Sequence, residues 1–300
     1  VMLRAAIALA VAAVPEGLPA VATITLAVGM KRMAERNALI RRLPAVETLG
    51  SATCVCTDKT GTLTRGEMTA THLALPDRTV EVSGGGYEPE GQFTEGDETV
   101  DPSADRRLRA LLTAGVLCNN ATIEQADGAW KINGDTTEGA LTVAAAKAGY
   151  DADETRGRFP ERHEFAFTSD VMMMGTVNEG LTADFEGGEG RMLCVKGAPG
   201  KVLECCTRVL GADGRSDLDE SARAALEKQN EALAGEGLRV LGVACKPVDD
   251  VPSSADAAYR DLTWIGLFGI LDPPREEVRD TVDVLTEAGI ETVMITGDQP

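Results

Sequence analysis

An α/β protein with an apolar helix at its start is predicted by three features of the sequence. Residues 1–30 are apolar except for Arg4, Glu16 and a few threonines, residues 52–57 form a short strand-like run ending at Asp58, and residues 264–295 read as strand, helix and strand. A length of 300 residues suggests about two domains, and 43% hydrophobic with 26% charged residues is ordinary for a chain that buries a sizeable core. Wholesale disorder and fibrous repeats are thereby excluded. Asp plus Glu number 48 against 29 Lys plus Arg, a net charge of −19, which argues against nucleic acid or any other polyanion as the main partner. Such acidity suits a salty cytoplasm or serves solubility alone. The cysteines at 54, 56, 118, 194, 205, 206 and 245 are odd in number and badly spaced for a disulfide framework or a zinc site, and are expected to be reduced core residues in a cytosolic setting. The chain opens inside an apolar run and closes at Pro300 without a stop pattern, so it reads as a piece of a longer protein.

The first element, residues 1–30, exceeds the roughly 20 residues a helix needs to cross a bilayer. It is followed by Lys31, Arg32, Arg36, Arg41 and Arg42, the flank expected on the cytoplasmic side of a membrane. A buried helix of a soluble protein has the same composition. What distinguishes the run is Val14-Pro15-Glu16-Gly17-Leu18-Pro19 at its centre. The two prolines remove helix hydrogen bonds, which frees carbonyls of the preceding turn, those of Val11, Ala12 and Val14 among them, beside one carboxylate. A carboxylate at bilayer depth is costly unless it meets a polar cavity or a cation. Carbonyls plus Glu16 make an all-oxygen set suited to a hard cation such as Ca2+; a simple kink, with Glu16 protonated or reaching for the interface, is the alternative.

The next element delivers Asp58 into Asp58-Lys59-Thr60-Gly61-Thr62-Leu63-Thr64. An Asp just past the end of a buried strand stands at the carboxyl edge of an α/β sheet, where such folds place ligands. The Gly and the Thr residues after it offer amides and hydroxyls to an anion. A carboxylate so placed is a nucleophile toward a phosphoryl group, with magnesium neutralising charge. Thr60, unlike an Asp at the same place, cannot take a proton from attacking water, so the acyl phosphate is expected to be long-lived, as a pump requires.

The Asp-Lys-Thr-Gly-Thr-Leu-Thr segment, together with Pro15-Glu16-Gly17-Leu18-Pro19 upstream and Leu43-Pro44-Ala45-Val46-Glu47-Thr48-Leu49-Gly50 between them, resembles the P-type ATPases, and within them the calcium-pump branch. The resemblance implies a fold and a division of the chain: a transmembrane helix over 1–30, a stalk and the first part of a haloacid-dehalogenase-like phosphorylation domain over 31–67, an inserted α+β nucleotide-binding domain over 68–262, and the incomplete second part of the phosphorylation domain over 263–300. It implies ATP and Mg2+ as cofactors, the ion held at Asp58 and Thr60, with Lys59 and Thr62 completing the catalytic set. It also implies an integral membrane protein with its catalytic domains in the cytoplasm, transporting a cation through Val11, Ala12, Val14 and Glu16.

Within the inserted domain, the acidic and Gly-rich stretches around residues 84–86 and 95–101 read as loops, and residues 105–118 have the apolar spacing of a helix. Gly134-Asp135-Thr136-Thr137-Glu138 is similar to the family segment whose second acidic residue faces adenine, which makes Glu138 a nucleotide contact; by itself it also reads as a first-turn acid stabilising the following helix. Phe167 matches the aromatic residue on which adenine stacks. There the sequence departs from the family, since Ser169 and Met172 stand where basic phosphate contacts are expected, within a Val171-Met172-Met173-Met174 run more typical of core. Lys196-Gly197-Ala198-Pro199 and Arg239 match a pocket-lining Lys-Gly turn and a phosphate-contacting Arg. An apolar strand over 264–271, Asp272-Pro273-Pro274-Arg275, a helix closed by Gly289 and a strand over 292–295 are expected to form a parallel crossover ending in Thr296-Gly297-Asp298, a phosphate-contacting turn in the family.

The function so implied is ATP-driven cation transport through an aspartyl phosphate, most simply of Ca2+, with Mg2+, Na+ or H+ as alternative ions. A haloacid-dehalogenase-type phosphatase is the competing enzyme class, disfavoured by Thr60 and the apolar start; a non-catalytic nucleotide-binding remnant is the third reading. No actuator loop and no Gly-Asp-Gly-x-Asn-Asp segment is present, so these 300 residues alone are expected not to turn over ATP.

Overall fold

The computed structural model describes residues 2–6, 17–126, 128–182, 185 and 187–295. The fold is mixed α/β and divides into two compact units, residues 1–59 with 276–300, and residues 60–275. Val11, Ala12, Val14, Glu16, Thr296, Gly297 and Asp298 lie outside the described residues.

In the smaller unit, helix α1 (Leu18–Ala34) starts on Pro19, whose fixed φ and missing N–H suit a first turn. The hydroxyls of Thr23 and Thr25 donate back to the carbonyls of Pro19 and Val21. None of its side chains is buried, and Leu18, Val21 and Ile24 are each more than 60% exposed. Residues 2–6 are helical as well, residues 1 and 7–16 of the expected 1–30 span lie outside the described residues, and among the described residues no helix is long and apolar enough to cross a membrane. Helix α2 (Leu43–Gly50) also has Pro in its first turn. Strand β1 (Cys54–Asp58) pairs in parallel with the unit's other strand, which comes after a helix at Glu277–Glu287 closed by Gly289 in the left-handed region at φ 73.

The larger unit opens with β2 (Thr69–Leu75) and β3 (Arg78–Val82). The acidic stretch expected as loop forms a short hairpin, β4 (Phe93–Glu95) and β5 (Glu98–Thr99), because Phe93 is 4% exposed and anchors it to the sheet. Helix α3 (Arg106–Leu117) falls where the apolar spacing places it. Its N-cap Asp105 accepts from the Arg107 amide at 2.7 Å and from Arg78 at 2.6 Å. Burial opposes ionisation of Asp105, but the hydrogen bonds from Arg107 and Arg78 outweigh it and hold the carboxyl below the usual range.

A hairpin of β6 (Thr122–Ala126) and β7 (Ala129–Asn133) precedes helices α4 (Thr136–Lys147) and α5 (Ala152–Arg158). Strands β8 (Glu161–Phe165), β9 (Met173–Leu181) and β10 (Gly187–Gly197), helix α6 (Pro199–Glu204), strands β11 (Cys206–Gly211) and β12 (Gly214–Asp217), helix α7 (Glu220–Gly235), strand β13 (Arg239–Val248), helix α8 (Ala255–Ala258) and strand β14 (Leu262–Leu271) complete it. Helix α9 (Glu277–Glu287) and β15 (Glu291–Ile295) belong to the smaller unit.

The large sheet runs β5-β4-β3-β2-β14-β13-β10-β9-β8, antiparallel throughout, with β11 added in parallel along the start of β14. Successive residues of β14 point to opposite faces. Phe268 packs with Leu108 and Leu141 of α3 and α4, whereas Leu267 packs with Val202 and Leu233 of α6 and α7, so helices cover both faces. This placement of β14 corrects the expected crossover. A strand buried along almost its whole length needs neighbours on both edges, and β14 finds them in β13, β2 and β11, while β15 pairs with β1.

Candidate functional site

Helix α4 carries one wall of the site. Asp135 caps it, its Oδ1 accepting from the amides of Thr137 (2.9 Å) and Glu138 (3.1 Å). An acid at the third helical position commonly turns back to the cap. Glu138 instead faces the sheet: Oε1 accepts from Lys196 Nζ at 2.6 Å and Oε2 from the Asn120 amide at 3.0 Å, while its own carbonyl accepts from Asn119 Nδ2 at 2.8 Å.

Lys196, near the end of β10, is only 6% exposed and also donates to the Cys118 carbonyl at 2.5 Å. A buried ammonium requires this kind of closure, since desolvation without a counter-charge is prohibitive. Cys118 itself is fully buried, and burial pushes its thiol up to about 11 despite the pull of the Lys196 charge.

At Gly197 the strand passes so near the 171–173 loop that a Cβ would stand 2.3 Å from the Met172 carbonyl oxygen, so no larger residue fits without moving the backbone. The next amide, Ala198 N–H, donates to that same carbonyl at 2.9 Å. Met172 adopts the left-handed conformation (φ 55), unusual for a flexible side chain, and the loop is tied there from both sides by this bond and by its own amide donating to Thr168 O at 2.7 Å.

These pieces enclose a cavity of about 630 Å3 in the larger unit. It brings together Glu138, Phe167, Lys196, Gly197 and Arg239, five residues taken from the sequence alone, together with Met172. Phe167 is 59% exposed, its ring free to take a flat partner, and Arg239 starts β13 after the turn at Gly237. Ser169 does not line the cavity. The methionine run divides: Met173 and Met174 are buried at the start of β9, and Met172 and Met174 form part of the wall. Asn120 and Asp135 also line it and were not singled out from sequence. The cap pattern marks Asp135, but no local signal marks Asn120, whose amide finds Glu138 only through the fold.

The Asp58 segment is different. Asp58 is the last residue of β1, in register with Ile295, and is exposed. The strand is half-exposed rather than buried, and Cys54 and Cys56 are exposed rather than core residues, because among the described residues only β15 pairs with it. The remaining cysteines are buried or half-buried, and all are free thiols.

After Lys59 the backbone leaves the strand through Thr60 (φ −76, ψ 122) and Gly61, whose φ of 75 favours a glycine. Thr60 and Thr62 are exposed. In the larger unit this turn is fastened by residues unassigned from sequence. Thr64 Oγ1 donates to Asp272 at 2.6 Å and accepts from the Gly61 amide at 3.0 Å, and the Asp272 carboxylate also takes the Gly66 and Glu67 amides. Arg275 donates to the Thr62 and Thr64 carbonyls. Among the described residues no group of three or more His, Cys, Asp or Glu is placed to hold a metal ion.

Residues 107–277 match the family model described as P-type ATPase, cytoplasmic domain N. The chain is 40% identical over 299 residues to the calcium-transporting ATPase of Bacillus subtilis, covering 99% of this chain and 33% of that protein. It is 43% identical over 304 residues to the cation-transporting ATPase pma1 of Synechocystis, covering 99% and 32%, and 39% identical over 295 residues to calcium-transporting ATPase 1 of Lactococcus lactis, covering 98% and 30%. The chain thus spans about a third of the length of the curated relatives it matches.

Proposed function

Because the chain belongs to the P-type ATPase family, we propose that it supplies the ATP-handling part of a membrane pump, in which ATP seats in the α4–β10 pocket and phosphorylates Asp58. The observation that carries this reading is the cavity that gathers Glu138, Phe167, Lys196 and Arg239 from separate stretches of chain around one exposed aromatic ring. The ring stacks the base, the Glu138–Lys196 pair fixes the wall beside it, and Arg239 donates to phosphate.

The carboxylate of Asp58 attacks the γ-phosphorus of ATP, the bond to the β-phosphate oxygen breaks, and ADP departs. The hard oxygen donors available at Asp58 and Thr60 suit Mg2+, which binds proteins through one or two carboxylates and completes its shell with phosphate and water. When bound it neutralises charge on the transferred group. Thr60 supplies no base for water attack, and Lys59 and Thr62 offer donors to the phosphoryl oxygens. Thr296, Gly297 and Asp298, next after β15 in sequence, are taken as further phosphate contacts.

Residues 31–67 and 263–300 are read as the two parts of the phosphorylation domain and residues 68–262 as the nucleotide-binding domain. The names of the Bacillus and Lactococcus relatives, and the all-oxygen donors of Val11, Ala12, Val14 and Glu16, favour Ca2+ as the transported ion. Helix α1 presents Leu18, Val21, Ile24 and Val28 outward and buries none, a surface that suits hydrocarbon and supports a membrane-embedded start with cytoplasmic catalytic units.

The test uses the full-length protein in membranes, given ATP labelled at the γ-phosphate and quenched in acid. Acid-stable label that depends on Ca2+ and disappears in Asp58→Asn is expected. Label independent of Ca2+ discards the ion and keeps the pump, and no label under any cation discards the phosphoenzyme.

A further inference from the structure

We propose that the larger unit holds a second ligand site, a cavity of about 470 Å3 beside α3, α5 and the turn joining α4 to α5, and that it takes a small zwitterion with an aromatic body, a free aromatic amino acid. The site stands apart from the α4–β10 pocket and does not depend on the nucleotide reading. That pocket is built on the first turn of α4, whereas this cavity lies beyond its last turn, at Gly149 and Tyr150, and a helix of 12 residues is ~18 Å long. No residue lines both.

Thr113 is the buried polar group that points to a ligand. It is 5% exposed on α3 and lines the cavity, and its hydroxyl makes no hydrogen bond among the described residues. Helical threonines elsewhere turn back to the carbonyl four residues earlier, as Thr155 does to Asp151 at 2.6 Å. A buried hydroxyl without a partner is costly, and a ligand in the cavity removes that cost. The half-buried Tyr150 hydroxyl is likewise unbonded among the described residues; burial pushes the phenol above its ordinary value, against the pull of Arg109, and keeps it a donor.

Glu154 and Arg158 stand four apart on α5, the spacing and order at which a carboxylate and a guanidinium ordinarily pair on a helix. Both line the cavity, and among the described residues neither makes an ion pair; Arg158 lies over the Phe159 ring at 5.1 Å. The other two lining charges are engaged, since the Asp151 carboxylate caps α5 through the Glu154 amide at 2.8 Å and Arg109 donates to the Ser103 carbonyl. What remains is one carboxylate and one guanidinium a helical turn apart. A simple anion is repelled by the first and a simple cation by the second, whereas a zwitterion satisfies both. Tyr150, Phe159 and Phe185 line the same cavity in a chain with only 4% aromatic residues, and such rings take an aromatic body by edge or offset stacking.

The probes are L-phenylalanine and its two halves, phenylacetate without the ammonium and 2-phenylethylamine without the carboxylate, titrated calorimetrically into the full-length protein in detergent at neutral pH. Phenylalanine is expected to bind with a dissociation constant of about 1 mM, and each half about tenfold more weakly or worse, for want of one charge-assisted contact. Saturating ATP is expected to leave this binding unchanged, whether or not ATP itself binds. Glu154→Gln and Arg158→Gln should each weaken phenylalanine about tenfold. Thr113→Val, which puts a methyl in place of the hydroxyl, should weaken it about threefold while the melting temperature of the ligand-free protein holds or rises. No binding up to about 10 mM, a half that binds within about tenfold of phenylalanine, or either Gln variant binding like the unaltered protein overturns the proposal and leaves the nucleotide reading standing. Displacement by ATP overturns it as well, and so does a lower melting temperature in Thr113→Val, which would show the hydroxyl bonded within the fold.

Discussion

The pocket around Glu138 and the strand edge at Asp58 are built from opposite materials. Glu138 is held by a buried ammonium, a backbone amide and a capped helix, with Lys196 6% exposed and the pair closed inside the larger unit. Asp58 ends a two-stranded ribbon, exposed, with one face of its strand exposed and the other half-exposed. The contrast separates two demands. A binding wall must hold its shape before the ligand arrives, and a desolvated ion pair gives rigidity because either partner alone is intolerable. A nucleophile must be reachable, and its reactivity comes from the phosphoryl group and metal brought to it.

Breaking the comparison at its chemical side gives the largest effect. Asp58→Asn is expected to remove all acid-stable label from the full-length protein while nucleotide affinity stays within about twofold, since the pocket lies wholly within residues 60–275. Loss of both would mean that the two regions are not energetically separate.

At the pocket, Glu138→Ala leaves Lys196 buried without its counter-charge and is expected to cost the larger unit about 3 kcal/mol, read by urea denaturation. A cost below about 1 kcal/mol, the range of surface pairs, would show that the pair is not needed to hold the wall. Phe167→Ala sharpens the distinction between shape and binding: with the ring 59% exposed, stability should hardly change, while nucleotide affinity falls about tenfold in a calorimetric titration with ATP.

Asp105→Asn is the smallest and serves as a charge pair remote in role from both regions. Its carboxyl is held below the ordinary value, so its contribution is present above about pH 4 and is lost as pH falls through the lower folded value. The variant should lose about 1 kcal/mol at pH 7 and converge with the unaltered chain once the pH has fallen through that lowered value. An undiminished difference in acid would show that the loss comes from packing.

The legible parts were those whose meaning is local. Asp58-Lys59-Thr60-Gly61-Thr62 carries the proposed nucleophile, a residue that is no base and a glycine turn within a few positions, and the apolar spacing over 105–118 placed α3. The resemblance then picked out five residues that the structure gathers into one cavity. Three expectations about strands differed. The strand over 264–271 joined the antiparallel sheet, β1 proved exposed along one side, and the 95–101 stretch paired as a hairpin. Each concerned which strand neighbours which, and an apolar run of strand length has the same periodicity beside a parallel or an antiparallel partner.

By itself, then, the sequence determined the family and the residue types of the pocket, and it singled out the carboxylate proposed to react, because those depend on side-chain chemistry at fixed short spacing. Only the tertiary structure decided that Lys196 is spent on Glu138, that Gly197 must lack a side chain to clear the Met172 carbonyl, and that Asn120 and Asp272 hold the two sites in shape. Those are pairings between residues tens to hundreds of positions apart, set by burial and hydrogen-bond closure, and no local pattern encodes them.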